Sequence, residues 1–494
     1  MLRKTFYVFI AFIISFSAIL SCNLNSIDEF NSLSVNSVDT TETDRCLVKP
    51  GLTHTEIVNY VLNSLEKGKV SRLMKYLASD IIWTVAGEPG KTPFAGTYAG
   101  KGQVGRYLRN FCRSIAVSEL VLNTITEVQP GIIETGLRLQ GIVITTRKTI
   151  DIEFQYTWQF NSHQKISKVS VACTVVSLEL AFTRGGKGHI ISDFTASQAA
   201  IDKTNAMLPI KEFIKDLPYE ELKARNMVPP NPAPLPDDAT LEILSFNGIN
   251  GELVRVTGNY NDKIILHFHG GGFYGMFAAT FRSWDYLIAK KTNIPVLCID
   301  YRLAAENPFP AGLEDCFMVY KELLKQYKAK NIVFFGASAG GNFDFSVMLL
   351  AKAHNVPFPG AVVGLSSWLD LTNTGDSITF NAEADTLFPP GLLDKYTSWY
   401  LTNTGISPLQ PLVSPLFGDV EGFPPTYLAV GSGEVLLSDS TSMFTKLSRA
   451  RRDVTIEISA GLVHAWPFYC AGTPDAERTH DRIAAFLKDK LNLE

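Results

Sequence analysis

The sequence predicts an α/β protein: a mostly parallel sheet covered by helices over residues 241–494, preceded by a smaller α+β unit. Three observations carry this. From residue 241 onward, short continuous apolar runs alternate with stretches of helical spacing, the signature of strands buried on both faces. Two glycine-rich turns, at 269–272 and 336–340, each directly follow one of those runs. Upstream, helical spacing comes first and alternating strand patterns follow, the order of an α+β unit.

In chain order, Arg3 and Lys4 precede an apolar run from Thr5 to Leu20. A positive segment followed by an apolar one reads as an export signal over residues 1–22. The run falls short of the roughly 20 residues a spanning helix needs, so cleavage and retention as an anchor both stay open. It ends Ile19-Leu20-Ser21-Cys22, which resembles a bacterial lipoprotein cleavage site, with Cys22 as the lipidated residue. An ordinary signal with an incidental cysteine is the alternative. The expected location is outside the cytoplasm, periplasmic or membrane-anchored. Residues 23–50 are rich in Asn, Ser, Thr and Asp and read as a flexible tether.

Residues 51–182 read as a separate α+β unit. Ile57, Tyr60, Val61 and Leu65 fall on one side of a helix over Thr53–Glu66. Further helices are expected near Val70–Leu77 and Lys101–Ile115, with a strand at Ile81–Val85 between them. Four strand-like runs follow. In Glu153–Phe160, aromatic residues take every second position, so one face is an aromatic stripe. Residues 183–240 read as linker and cap: a glycine-rich joint (Gly185, Gly186, Gly188), some amphipathic helix, and a proline-rich connector over Pro229–Pro236 that cannot be helix interior. The strands expected beyond it are Ile264–Phe268, Val296–Ile299, Ile332–Phe335, Ala361–Leu365, Thr426–Val430 and Val454–Ile458.

Bulk properties narrow the function. At about 150 residues per domain, a chain of 494 residues holds two or three domains. It is 46% hydrophobic and 19% charged, hence globular, and its net charge is −4 with no basic block. A nucleic-acid partner is therefore not expected. None of the seven cysteines forms a CxxC pair, so zinc and thioredoxin-type sites are not expected either.

Gly336-Ala337-Ser338-Ala339-Gly340 lies between a strand and a helical pattern, the setting of a nucleophile elbow. Gly336 and Gly340 are small enough for the tight turn that lifts the Ser338 hydroxyl above the sheet. His269-Gly270-Gly271-Gly272 is the rarer motif, because the chain has only eight histidines. Its glycines allow main-chain N–H groups to approach a substrate oxygen, so Gly271 and Gly272 are the expected oxyanion donors, with the N–H of Ala339 as a third. A hydroxyl nucleophile needs a base, and the base an orienting carboxylate, in the chain order serine, acid, histidine. His354, His464 and His480 follow Ser338. His354 falls at the far end of the elbow helix and His480 on a terminal helix, expected at the surface. His464 follows the last strand and is the expected base. The acid should follow Thr426–Val430. Glu434 sits in the loop directly past it and is favoured. Asp439 is the alternative, although the first turn of a helix capped by Ser438 would give it a structural task.

Together these residues resemble the hormone-sensitive-lipase-like (α/β-hydrolase fold-3) esterase family. Asp300-Tyr301-Arg302-Leu303-Ala304-Ala305-Glu306-Asn307-Pro308-Phe309-Pro310-Ala311 and Ser366-Ser367-Trp368-Leu369-Asp370-Leu371-Thr372 follow that family's blocks. The resemblance covers about residues 235–494. It implies an α/β-hydrolase catalytic domain (241–494) with an N-terminal helical cap within 190–235, and a small-molecule ester as substrate. The usual aspartate of the acid motif is Glu434 here. Asp300, Arg302, Glu306 and Asp370 read as scaffold. In the first unit, Ala78-Ser79-Asp80-Ile81-Ile82-Trp83 and Pro93-Phe94-Ala95-Gly96-Thr97-Tyr98-Ala99-Gly100-Lys101 resemble the nuclear-transport-factor-2-like (polyketide-cyclase-like) domain, which implies a ligand-binding or homodimer-forming accessory.

The expected function is a serine carboxylester hydrolase acting on short- to medium-chain acyl esters or lactones, with no metal or organic cofactor. The alternative is a catalytically silent small-molecule-binding module on the same scaffold, a reading that a filled triad opposes.

Overall fold

The computed structural model describes residues 51–89, 92–226 and 234–493. Residues 1–50, where an export signal, Cys22 and a tether are expected, and residues 229–233 of the proline-rich stretch lie outside the described residues. Among the described residues, no helix is long and apolar enough to cross a membrane.

The first elements are helices α1 (His54–Glu66) and α2 (Val70–Leu73), strands β1 (Leu77–Val85) and β2 (Gly96–Ala99), and helix α3 (Gly100–Ser114). Thr53 and Glu56 form a reciprocal capping box that starts α1. Helix α2 stops at Leu73, earlier than its spacing predicts, and the chain turns at once into β1. Strands β3 (Ile115–Gln129), β4 (Ile132–Val143), β5 (Thr149–Phe160) and β6 (Ile166–Cys173) form antiparallel pairs in sequence. The aromatic stripe of β5 faces inward: Phe154, Tyr156 and Trp158 are buried. Tyr156 stacks on Trp158 at 5.4 Å, and Trp158 meets Trp83 edge-on at 5.7 Å. Rings of this size bury large apolar areas, each contributing ~2–3 kcal/mol, so the stripe is core.

Helix α4 (Val175–Phe182) leads to strand β7 (His189–Asp193), then helices α5 (Gln198–Asn205), α6 (Leu208–Ile214) and α7 (Tyr219–Asn226). Strand β7 falls within the stretch read as linker and cap, and it changes the architecture. Residues 154–160 of β5 pair with β6, while residues 149–152 pair in parallel with β7. The other edge of β7 pairs in parallel with the last strand of the chain. The α+β part and the α/β part therefore share one continuous sheet through a strand in the stretch read as linker and cap. The glycine run 185–188 reads as a joint in sequence. In space, Gly186 and Gly188 lie close against Ser448 and Phe444, where a Cβ would collide.

The α/β part consists of β8 (Ala239–Phe246), β9 (Ile249–Val256), β10 (Ile264–Phe268), α8 (Ala278–Thr292), β11 (Val296–Ile299), α9 (Ala311–Leu323), β12 (Ile332–Ala337), α10 (Ala339–Ala353), β13 (Ala361–Leu365), α11 (Asp376–Phe380), α12 (Leu392–Tyr400), β14 (Thr426–Gly431), α13 (Leu437–Arg449), β15 (Val454–Ser459), α14 (Trp466–Tyr469) and α15 (Pro474–Lys490). The sheet order is β2-β1-β6-β5-β7-β15-β14-β13-β12-β10-β11-β9-β8, with β4 and β3 branching from β5. Strands β10 to β15 are parallel to one another and buried along their whole length, which is why they read as unbroken apolar runs. The fold is thus an α/β-hydrolase fold, and the loops at the carboxyl ends of β10, β12, β14 and β15 open on one side of the sheet.

Candidate active site

Strand β12 ends at Ala337, α10 begins at Ala339, and Ser338 is the whole turn between them. Its backbone has φ 59° and ψ −122°, a conformation costly for a residue with a Cβ. It is held in place by its own N–H donating to Leu365 O at 2.9 Å and by its carbonyl accepting from the N–H groups of Asn342 and Trp368. A Cβ on Gly340 would run into the Phe268 carbonyl, and one on Gly336 into Gly340, which accounts for both flanking glycines. As the first helical residue, Ala339 has a main-chain N–H with no partner inside the helix.

The loop after β10 carries the second motif. Gly271 has φ 109°, and a Cβ there would meet the Gly275 carbonyl. The His269 ring points away from the cavity: Nδ1 donates to Gly270 O at 2.7 Å, and the ring stacks on Tyr301 at 4.2 Å. The Tyr301 hydroxyl in turn donates to His269 O at 2.7 Å. Burial pushes the His269 pKa down to about 3, so the ring is neutral and serves as a brace for the glycine loop.

Strands β14 and β15 are neighbours in parallel register, which brings the loops after them side by side. There His464 Nδ1 donates to Glu434 Oε2 at 3.0 Å, with both side chains buried. The other oxygen, Glu434 Oε1, accepts from Gly431 N at 2.6 Å and Ser366 Oγ at 2.8 Å. Burial raises the Glu434 pKa, and the bond from His464 offsets only part of that rise. Phe388 approaches the His464 ring edge-on at 4.7 Å.

Ser366 appears in the sequence only as the first residue of a family block, and nothing local there assigns it a role. Its hydroxyl donates to the acid and accepts from Ala465 N at 3.0 Å, joining the acid to the histidine loop. Asp439 has a different task from the one its helix position suggests. Its Oδ2 accepts from the N–H groups of Leu369 and Asp370 at 2.6 and 2.9 Å, across to another loop. Burial raises its pKa to about 8 against those two amides. Ser438 accepts from Ser377 N and does not cap the helix. His480, expected at the surface, is buried and accepts from Trp284 Nε1 at 3.0 Å.

Gly270, Gly271, Gly272, Ser338 and His464 line one cavity of about 220 Å³. Its roof is apolar and comes from the helices after β7: Met207, Ile210, Ile214 and Leu222. Trp368, Leu387 and Phe388 form part of the wall. A serine hydroxyl, an imidazole oriented by a carboxylate, and main-chain N–H groups therefore share one largely apolar pocket, the set acyl transfer requires. Among the described residues, one group could hold a metal ion: His267, Asp285 and Cys298, with donor atoms within 4.8 Å of one another. These residues are not among those lining this cavity.

A family model described as an alpha/beta hydrolase fold matches residues 265–468. The chain is 34% identical over 254 residues to an esterase of Acinetobacter venetianus, covering 51% of this chain and 83% of that protein. It is 29% identical over 248 residues to an acetyl-hydrolase of Streptomyces hygroscopicus, covering 50% and 82% respectively. Among solved structures, an esterase from the bacterial hormone-sensitive lipase family superposes with a TM-score of 0.54 at 31% identity, covering 60% of this chain and all of that one.

Proposed function

This chain belongs to the α/β-hydrolase-fold esterase family that includes the bacterial hormone-sensitive lipase group, and from that premise we infer that Ser338, His464 and Glu434 form its catalytic triad. The protein is a carboxylic ester hydrolase. The observation that carries the finer reading is the buried His464–Glu434 bond at 3.0 Å beside Ser338 in one cavity. With Nδ1 engaged by the acid, Nε2 is the nitrogen left for the hydroxyl.

His464 takes the Ser338 proton as Oγ attacks the ester carbonyl. The oxyanion is met by the N–H groups of Gly271, Gly272 and Ala339, each worth a few kcal/mol. Glu434 stabilises the imidazolium, which then protonates the leaving alcohol. Water repeats the sequence on the acyl-enzyme and releases the acid. The cavity of about 220 Å³ is smaller than the roughly 300–1,000 Å³ of drug-sized ligand sites. That supports short- to medium-chain acyl esters or lactones as substrates. Export through residues 1–22, with or without a lipid on Cys22, belongs to the same proposal and rests on the sequence alone. So does an accessory role, ligand-binding or dimer-forming, for residues 51–182.

The test is hydrolysis of p-nitrophenyl acyl esters of increasing length, alongside fluorophosphonate labelling. Wild type should turn over the short esters and label at Ser338, while Ser338→Ala loses activity by on the order of 10⁴-fold or more. Equal rates in the two proteins would remove the triad reading. A wild type that binds esters without turning them over would make the chain a silent binding module.

A further inference from the structure

The acid loop 432–436 carries Glu434, and an insertion between β13 and α12 grips its main chain at four points. Asn381 Nδ2 donates to Ser432 O at 3.0 Å and to Glu434 O at 2.8 Å. Asp385 Oδ2 accepts from Val435 N at 2.9 Å. Ser377 Oγ donates to Val435 O at 2.5 Å. The peptide that joins Glu434 to Val435 is thus held on both edges, its carbonyl by Asn381 and its N–H by Asp385.

The same insertion shapes the pocket wall. Asp385 Oδ1 accepts from Leu387 N at 2.8 Å and Phe388 N at 2.9 Å. Leu387 and Phe388 line the cavity, and Phe388 is the ring set against His464. One buried carboxylate therefore fixes two things at once: the backbone beside the acid and the ring beside the base.

A single side chain fastens this bracket to the cap. Lys211 on α6 is buried, and its Nζ donates to Ala382 O at 2.8 Å and Asp385 O at 2.6 Å. The same short helix contributes Ile210 and Ile214 to the roof of the cavity. A buried ammonium is costly unless its protons are taken up, and here the carbonyls of the bracket take up two of them. Sequence pattern alone assigns no task to a lysine in the middle of an apolar cap helix.

We propose that Asn381 and Asp385 are positioning residues for ester hydrolysis, and that Lys211 couples the seating of the cap to the placement of the acid and base. The proposal rests on the triad reading. Catalysis requires the acid–base geometry to hold to a fraction of an ångström, and a shift of about 1 Å costs on the order of 10²-fold in rate.

The experiment measures kcat and KM on a short p-nitrophenyl ester for Lys211→Met, Lys211→Arg, Asp385→Asn and Asn381→Ala, with circular dichroism as the check on folding. The expected result is a fall in kcat of ~10-fold or more for Lys211→Met, Asp385→Asn and Asn381→Ala, with KM within about threefold of wild type. Lys211→Arg, which can still donate to two carbonyls, should recover most of kcat. If Asp385→Asn does not fold, Lys211→Met and Asn381→Ala decide the matter. Folded variants with wild-type kcat, or with a change confined to KM, would overturn the proposal and leave the bracket a plain pocket wall. Failure of the triad itself would show separately, as absent fluorophosphonate labelling of wild-type Ser338.

Discussion

Glu434 and Asp439 are buried carboxylates on one short stretch, and the structure separates them by partner. Glu434 meets an imidazole; Asp439 meets two peptide N–H groups. Glu434→Gln should therefore lower kcat by ~10²–10⁴-fold, while Asp439→Asn stays within a few-fold of wild type in the same ester assay. Asp439 also predicts a stability effect. Its pKa rises to about 8 in the fold from about 3.9 in an unfolded chain. A carboxyl shifted upward stabilises the fold fully below the lower value, and that contribution is lost as pH rises towards the higher one. Both amides donate to the same oxygen, so an asparagine carbonyl can accept both bonds without a charge. The Tm of Asp439→Asn relative to wild type should therefore climb between pH 4 and 8; a flat difference would contradict the shift. Chain order and the glycine motifs were enough to single out Ser338, Gly271, Gly272, Ala339 and His464, all of which follow the carboxyl ends of parallel strands, β10, β12 and β15, of one sheet. The loop position directly past β14 already favoured Glu434 over Asp439, and the coordinates add which of the two carboxylates turns toward His464. Ser366 stood in the sequence only as part of a family block, with no role attached, and Asn381 and Asp385 left no signal, since their work is done through hydrogen bonds to groups far away in sequence.

At the scale of elements, the parallel strands were legible because burial on both faces leaves unbroken apolar runs. Strand β7 was not. Its five residues, His189–Asp193, follow a glycine-rich run and are too few to establish a period. Its strand character comes from two neighbours, β5 and β15, one on each edge. Such a strand ties the stability of the α+β part to that of the α/β part. Ile190 is fully buried, so Ile190→Ala should cost about 2–5 kcal/mol. Because the strand is shared, calorimetry should record one transition for wild type and its displacement as a whole in the variant. Two separate transitions, with only one displaced, would mean that the shared strand does not transmit stability.

Across the whole molecule, one side chain at the end of that strand gathers charges from distant parts of the chain. Asp193 is nearly fully buried and pairs with Arg138 on β4 and with Arg478 and Arg482 on α15. Arg482 also reaches Glu457 on β15. Burial alone would raise the Asp193 carboxyl, but the guanidinium groups outweigh it and hold its pKa well below the usual carboxylate range. The contribution of such a group is present above the unfolded value of about 3.9 and is lost as pH falls toward the folded one. Asp193→Asn keeps the shape but removes the shared anion of three guanidinium groups at the seam where the sheet joins its two halves. Removing one partner of a buried ion pair costs ~3–5 kcal/mol. At pH 7, urea titration of Asp193→Asn should give a midpoint well below that of wild type, and the gap should narrow as pH is lowered below about 4. The narrowing is the discriminating part, because a purely steric defect would keep the gap constant with pH, whereas a charge that wild type also begins to lose in acid cannot.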